Sequence, residues 1–149
     1  MDNTRVKAYF GIYGDAFPIN EVTQLLNIEP TNTYNKGDVI VRPKNNNVVN
    51  TTVKYRKETA WVLSTDYQES YDVTEQLNEI LSPLKNKSAI INRLKTKYNL
   101  ECQFSIVIIM EHGYTPGLHL DNELIEFANS IKAEFDIDLY ANPYKSDVN

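Results

Sequence analysis

The chain has 149 residues, of which 42% are apolar, 23% charged and 11% aromatic, and its formal net charge is −5. That is about one domain of globular composition, outside the disordered, collagen-like and disulfide-scaffold classes. At this length roughly two-thirds of the extended surface is buried on folding, and the acidic balance argues against a general nucleic-acid or membrane binder.

Cys102 is the single cysteine, so no intrachain disulfide forms and no thiol cluster holds zinc. Met1 to Lys7 lacks the apolar core of a signal peptide, and the longest apolar run, Ile106 to Met110, falls far short of the ~20 residues that span a bilayer. The expectation is a protein of the reducing cytoplasm, and the glycosylation patterns at Asn50 and Asn86 carry no weight there.

Arg5 to Gly14 alternates: Val6, Ala8, Phe10 and Ile12 point one way, and Lys7, Tyr9, Gly11 and Tyr13 the other. Period two predicts a strand with one buried face. Gly14-Asp15 ends it. Pro18 suits the first turn of a helix, whose stripe is Val22, Leu25 and Leu26 and which Pro30 stops. Lys36-Gly37-Asp38 is a turn signal. Val39 to Val41 and Val48 to Val53 form either a hairpin across Asn45-Asn46-Asn47 or an Asn-rich loop.

Thr59 to Thr65 reads as a strand, with Trp61 and Leu63 on one face and Ala60 and Val62 on the other. Asp72 to Glu75 has capping-box spacing, in which Asp72 accepts from the third helical N–H and Glu75 reaches back. Val73, Leu77, Ile80, Leu81 and Leu84 follow at helical spacing, and Pro83 kinks or ends that helix. Ser88 to Tyr98 is a second helical piece. Glu101 to Met110 is apolar on both faces over Ile106 to Met110, which predicts a central strand. After a turn at Gly113 to Gly117, Leu120, Leu124, Phe127, Ala128 and Ile131 trace a helical stripe. Phe135, Ile137 and Leu139 alternate with Asp136, Asp138 and Tyr140 as a last strand.

The predicted fold class is α+β: an antiparallel sheet with helices mainly on one face, a ferredoxin-like duplicated β-α-β with a helical insertion and an optional β-hairpin. Phe10 to Leu26 and Phe104 to Leu124 both run strand, glycine turn, proline, helix, which suggests two split β-α-β halves. Residues 1–141 make one domain and 142–149 a flexible C-terminal tail. The predicted core contains Phe10, Trp61, Phe104, Ile106, Ile108, Leu124, Phe127 and Ile137.

The ordered set Phe10-Gly11-Ile12-Tyr13-Gly14-Asp15, Glu21-Val22-Thr23, Leu25-Leu26, Ile28-Glu29-Pro30-Thr31 and Lys36-Gly37-Asp38 resembles the N-terminal half of the bacterial DUF4279 family, a domain of unknown function. Trp61-Val62-Leu63-Ser64-Thr65 and Asp136-Ile137-Asp138-Leu139-Tyr140 are similar to its later blocks. The resemblance runs from Val6 to Tyr140 and implies a small, stand-alone bacterial protein. It supplies no catalytic residues.

Candidate chemistry is sparse. His112 and His119 sit seven apart across a Gly/Pro turn near Glu111 and Asp121, a spacing that fixes no metal geometry, and they read as solvated loop residues. Asp136 and Asp138 share the outward face of the last strand about 7 Å apart, within the range of hydrolase carboxylate pairs. They also read as charges that protect a sheet edge. Cys102 reads as a buried inert thiol. No metal, cofactor or catalytic residue is assigned.

Charge is segregated. Lys36 to Lys57 carries six bases against Asp38, Lys85 to Leu100 carries five bases and no acid, and Glu101 to Asn149 carries nine acids against Lys132 and Lys145. The expectation is a non-catalytic bacterial binding protein, an immunity-type or phage-conflict partner that neutralises another protein. Tyr9 and Tyr13 supply contact area, and Asp121, Glu123, Glu126, Asp136 and Asp138 steer a basic protein partner, with neither DNA nor membrane as target. Base stacking on the tyrosines, as in RNA-binding sheets, is the weaker use of these rings given the acidic balance, and the alternatives to a protein binder are a small anionic-ligand-binding domain that uses the basic hairpin and a small hydrolase.

Overall fold

In a computed structural model, residues 3–41 and 52–142 are described. The elements in chain order are β1 (Arg5–Gly14), α1 (Ile19–Leu26), β2 (Asn32–Tyr34), β3 (Thr59–Ser64), β4 (Gln68–Glu69), α2 (Thr74–Leu84), α3 (Ser88–Tyr98), β5 (Glu101–Met110), α4 (Asn122–Ser130) and β6 (Glu134–Ala141). The predicted tail lies outside the described residues from 143 onward.

The fold is α+β. The described strands form one sheet in the order β2-β3-β1-β5-β6, with β4 continuing the β3 side of β1. The sheet is mixed rather than antiparallel: β1 is antiparallel to β3, β4 and β5, and β2 to β3, but β5 and β6 are parallel. Two tandem β-α-β halves were expected to be split alike, and they are not. β2 runs parallel to β1 with β3 inserted between them. β6 lies directly against β5. The difference follows from what the chain supplies next: β3 comes after β2 and takes the place beside β1, whereas no described strand follows β6.

The helices and one sheet face close a single core. Val6, Ala8, Phe10 and Ile12 of β1, Trp61 of β3, and Cys102, Phe104, Ile106 and Ile108 of β5 pack with Val22 and Leu26 of α1, Leu77, Ile80, Leu81 and Leu84 of α2, Ile91 and Leu94 of α3, and Leu124, Phe127 and Ala128 of α4. Phe104 is the aromatic hub. Its ring lies 5.0 Å from Phe10, 6.2 Å from Phe127 and 5.3 Å from Phe135, centroid to centroid. The Trp61 indole N–H donates to the Thr23 hydroxyl and ties α1 to β3. Of the predicted core, Ile137 is the exception. It is 37% exposed, because β6 is the edge strand and the helices cover it only as far as Phe135.

Local signals differ in two places from expectation. The hairpin pairs Val39 with Tyr55, and Ile40 N–H donates to the Lys54 carbonyl. The described pairing thus runs through Lys54–Arg56, with the Gly37 N–H fixed to the Arg56 carbonyl setting the register, while residues 48–51 of the expected arm at 48–53 lie outside the described residues. Residues 42–51 lie outside the described set. At α2, Asp72 accepts from the Thr74 N–H, at the first helical residue, and the reciprocal Glu75 bond of a capping box is not formed. The Asp72 N–H that Glu75 would accept from already donates to the Ser70 hydroxyl, and the Val73 N–H donates to the Gly117 carbonyl, which docks this helix start on the loop after β5.

Candidate functional site

The face of the sheet away from the helices is a groove. Its composition follows from strand alternation: whatever β1 does not bury, it presents here. The cross-strand registers give the rows of side chains. Tyr140, Ile109 and Arg5 form one row across β6, β5 and β1. Asp138, Val107 and Lys7 form the next. Asp136, Ser105, Tyr9 and Ser64 form the third. Glu134, Gln103, Gly11, Val62 and Asn32 form the fourth.

The small side chains Ser64 and Ser105 flank Tyr9, so the middle of the face is a trough. Its volume is about 830 Å³, with Arg5, Lys7, Arg56, Tyr9, Tyr34, Tyr67 and Tyr140 among the lining residues. That falls within the range of small-molecule sites. Val62 and Val107 are buried in its floor.

Two local features shape it. Between β3 and β4 the ladder breaks at Thr65-Asp66-Tyr67. The Thr65 hydroxyl accepts from the Ala8 N–H in place of a backbone carbonyl, and this break lets Tyr67 lean over the start of β1. Breaks of this kind re-aim side chains beside functional sites. The second feature is Gly11. The Tyr13 ring folds back over it so closely that any β-carbon at position 11 would collide with the ring.

The cations rest on rings. Arg56 lies 3.9 Å from the Tyr34 centroid. Lys7 lies 5.6 Å from that of Tyr9 and 5.2 Å from that of Tyr67, and Arg5 lies 5.8 Å from that of Tyr67. These are cation–π distances. Among the described residues the ion pairs are Lys36–Asp15 and Lys97–Glu21, and they include none of these three cations. The Arg5 Nε is buried and has no hydrogen-bond partner among the described residues. Asp66 is the one carboxylate among the lining residues.

Burial pushes the Tyr13 phenol well above its ordinary range, helped by Tyr9, Tyr34 and Glu58 nearby. Burial also raises the Tyr34 phenol, against the lowering effect of Arg56. Both hydroxyls therefore stay neutral and available as donors at physiological pH. Cys102 faces the core, where burial raises its thiol to about 12.

The residues singled out from sequence fall on two sides of the molecule. Tyr9 and Tyr13 line the groove, both half-buried. Asp136 and Asp138 stand on the same face one strand further out, on β6. Asp121, Glu123 and Glu126 belong to α4 in the helical layer. Asp121 is the helix cap and accepts from the Leu124 N–H. Glu123 and Glu126 are exposed in a shallow depression that also contains Lys85. His112 occupies the turn after β5 at φ 54°, with Gly113 at φ 74° and the Tyr114 N–H donating to the Glu111 carbonyl. His119 is exposed near Asp72. Among the described residues no three His, Cys, Asp or Glu side chains group as metal ligands would.

Sequence reasoning missed Arg5, Tyr34, Arg56, Tyr67 and Tyr140 as neighbours. The signal for Arg5 was present, since it shares the period-two face of Lys7, Tyr9 and Tyr13. No periodicity marks Tyr67 or Arg56, which lie outside regular strands. Among the described residues, no helix is long and apolar enough to cross a membrane.

No curated protein and no solved structure matches the chain. The family described as "Domain of unknown function (DUF4279)" matches residues 4–142, nearly the whole length. The groove, the sheet that floors it and the four helices behind it all lie inside that span, and the chain belongs to the DUF4279 family.

Proposed function

We propose that this is a non-catalytic binding protein that holds an anionic ligand on the open face of its sheet. The observation that carries the reading is that Arg5, Lys7 and Arg56 line one groove and rest on tyrosine rings rather than on carboxylates. A cation held against a ring keeps its outward side free for an anion, and the low local dielectric strengthens that contact. Neutral phenols add donors without adding negative charge.

The test is a titration with inorganic pyrophosphate followed by amide chemical shifts. Shifts at Lys7, Tyr9, Ser64 and Val107, abolished in Lys7→Ala/Arg56→Ala, support the reading. Pyrophosphate and an acidic peptide that both leave the groove amides unmoved sink it.

A second reading places a basic protein partner on the helical side, in the manner of an immunity-type or phage-conflict protein. It is supported by α4, where Ile125 is exposed between Glu123 and Glu126. Acids around an apolar point favour fast, salt-sensitive association. A lysine-rich peptide that shifts the amides of residues 123–126, less so as salt rises, supports this reading. Shifts elsewhere only, or none, remove it.

A further inference from the structure

Charge on the open face is graded. Arg5 and Lys7 on β1 and Arg56 beside β3 line the groove together with Asp66, and past its rim, on β6, stand Asp138 and Asp136 beside Val107 and Ser105. A simple anion uses only the first half of that gradient. A ligand that fits all of it carries an anionic group at one end and hydrogen-bond donors at the other. The groove also offers one ring on which none of these three cations rests, Tyr140, 55% exposed, whereas Tyr67, 46% exposed, is shared with Arg5 and Lys7. Between them lie Ile109 and Arg5, in one row with Tyr140.

Resting on the groove reading above, we infer that the ligand is a nucleotide, either free or as part of a short single strand. Its phosphate lies at Arg5 and Lys7, whose charges the structure leaves without a carboxylate partner among the described residues. Both side chains line the groove as charged donors, of the kind that phosphate oxygens accept from. The base stacks on a tyrosine face, a contact that any base can make. The sugar hydroxyls or exocyclic amines donate towards Asp138. The groove volume of about 830 Å³ admits a ligand of this size with room for an adjoining nucleotide. The overall charge of −5 works against long nucleic acid. A mononucleotide or a strand of a few residues feels mainly the local cations, since exposed charges are screened within about 8 Å at physiological salt.

The experiment is a set of titrations on the full chain, followed by amide chemical shifts and calorimetry. The probes are adenosine and uridine monophosphate, ribose 5-phosphate, a short oligouridylate and an acidic peptide. The nucleotides should shift the amides of Tyr9, Val107, Ile109 and Tyr140. They should bind about tenfold tighter than ribose 5-phosphate, the equivalent of roughly one stacked base.

Tyr140→Ala should erase that preference while retaining the ribose phosphate affinity. Lys7→Ala should weaken both ligands, and Lys7→Arg should restore them. Oligouridylate binding tighter than the monophosphate identifies a strand as the source, and equal affinity identifies a free nucleotide. Ribose 5-phosphate binding as well as the nucleotides overturns the nucleotide inference and leaves the anion groove standing, as does binding of the acidic peptide alone. No response to any probe overturns both.

Discussion

The two faces of the sheet are made from the same strands and do opposite things. On β1 the even positions from Val6 to Ile12 are fully buried under the helices, while the odd positions from Arg5 to Tyr13 are half-buried and polar or aromatic, apart from Gly11. On β5, Phe104, Ile106 and Ile108 face the helices, and Gln103, Ser105, Val107 and Ile109 face the groove. The helix-covered face is continuous and aromatic at its centre. The open face alternates small residues with tyrosines, so it has relief. Interiors are close-packed and gain from filling space. A binding surface gains from leaving some of it empty. The contrast teaches that one strand closes a packed core on one side while leaving a groove open on the other.

The sharpest way to break that contrast is at the hub of the core. Phe104→Ala should cost roughly 3–5 kcal/mol in chemical denaturation, as a buried ring removed from a packed core does. Ile137→Ala, on the partly exposed edge strand, should cost about 1 kcal/mol. Equal losses would show that the helices cover β6 as fully as β5.

A smaller effect separates the acids by role. Asp121→Ala should cost about 1 kcal/mol, because it removes the acceptor for the Leu124 N–H at the start of α4. Glu126→Ala, exposed on the same helix, should stay within about 0.5 kcal/mol. Comparable losses in thermal denaturation would mean that Asp121 is not acting as a cap.

The alkaline limb of stability reports on both faces. The Cys102 thiol is raised to about 12 by burial, and the Tyr13 phenol is raised above its ordinary range by burial and its neighbours. In each case the folded state keeps a proton that the unfolded chain releases, so stability falls as pH rises. The fall should begin near pH ~8.5, where an unfolded thiol titrates, and steepen above about pH 10, where an unfolded phenol does. Cys102→Ala should remove the first part of the slope and Tyr13→Phe most of the second, the rest belonging to Tyr34, whose phenol burial also raises. A flat profile from pH 8 to 11, in denaturation melts, would contradict the burial of both groups.

The smallest expected change in stability is at the groove cations. Lys7→Ala and Arg56→Ala should each shift folding by no more than about 0.5 kcal/mol, because a cation resting on a ring at a partly exposed site contributes little. The same substitutions carry the largest expected loss of anion binding. If they destabilise the fold as Phe104→Ala does, the open face is structural.

Much of this was legible in the sequence, and the reasons are local. The alternation of Val6 to Tyr13 placed β1 and both its faces. The doubly apolar run of β5 placed that strand within the sheet rather than at its edge. Leu124, Phe127 and Ile131 placed α4 against the core. The parallel pairing of β6 was not legible, because an alternating edge strand looks the same in either direction. Nor was the grouping of Arg56, Tyr34 and Tyr67 with β1. They converge through the Gly37–Arg56 hydrogen bond, the β2–β3 register and the break at Thr65.

The sequence by itself determined β1, β3, β5, β6 and the helices, with the side each turns to the core, because side-chain periodicity follows from backbone geometry alone; β2 and β4, three and two residues long, are too short to show a period. It also determined the family, through an ordered set of short segments that needs no fold to be seen. Only the tertiary structure decided that all four helices pack on one face and that residues 5, 7, 9, 34, 56, 67 and 140 share one groove. Those positions lie up to 135 residues apart (from Arg5 to Tyr140) and meet only through strand order, which pairing between distant segments sets and no local pattern encodes.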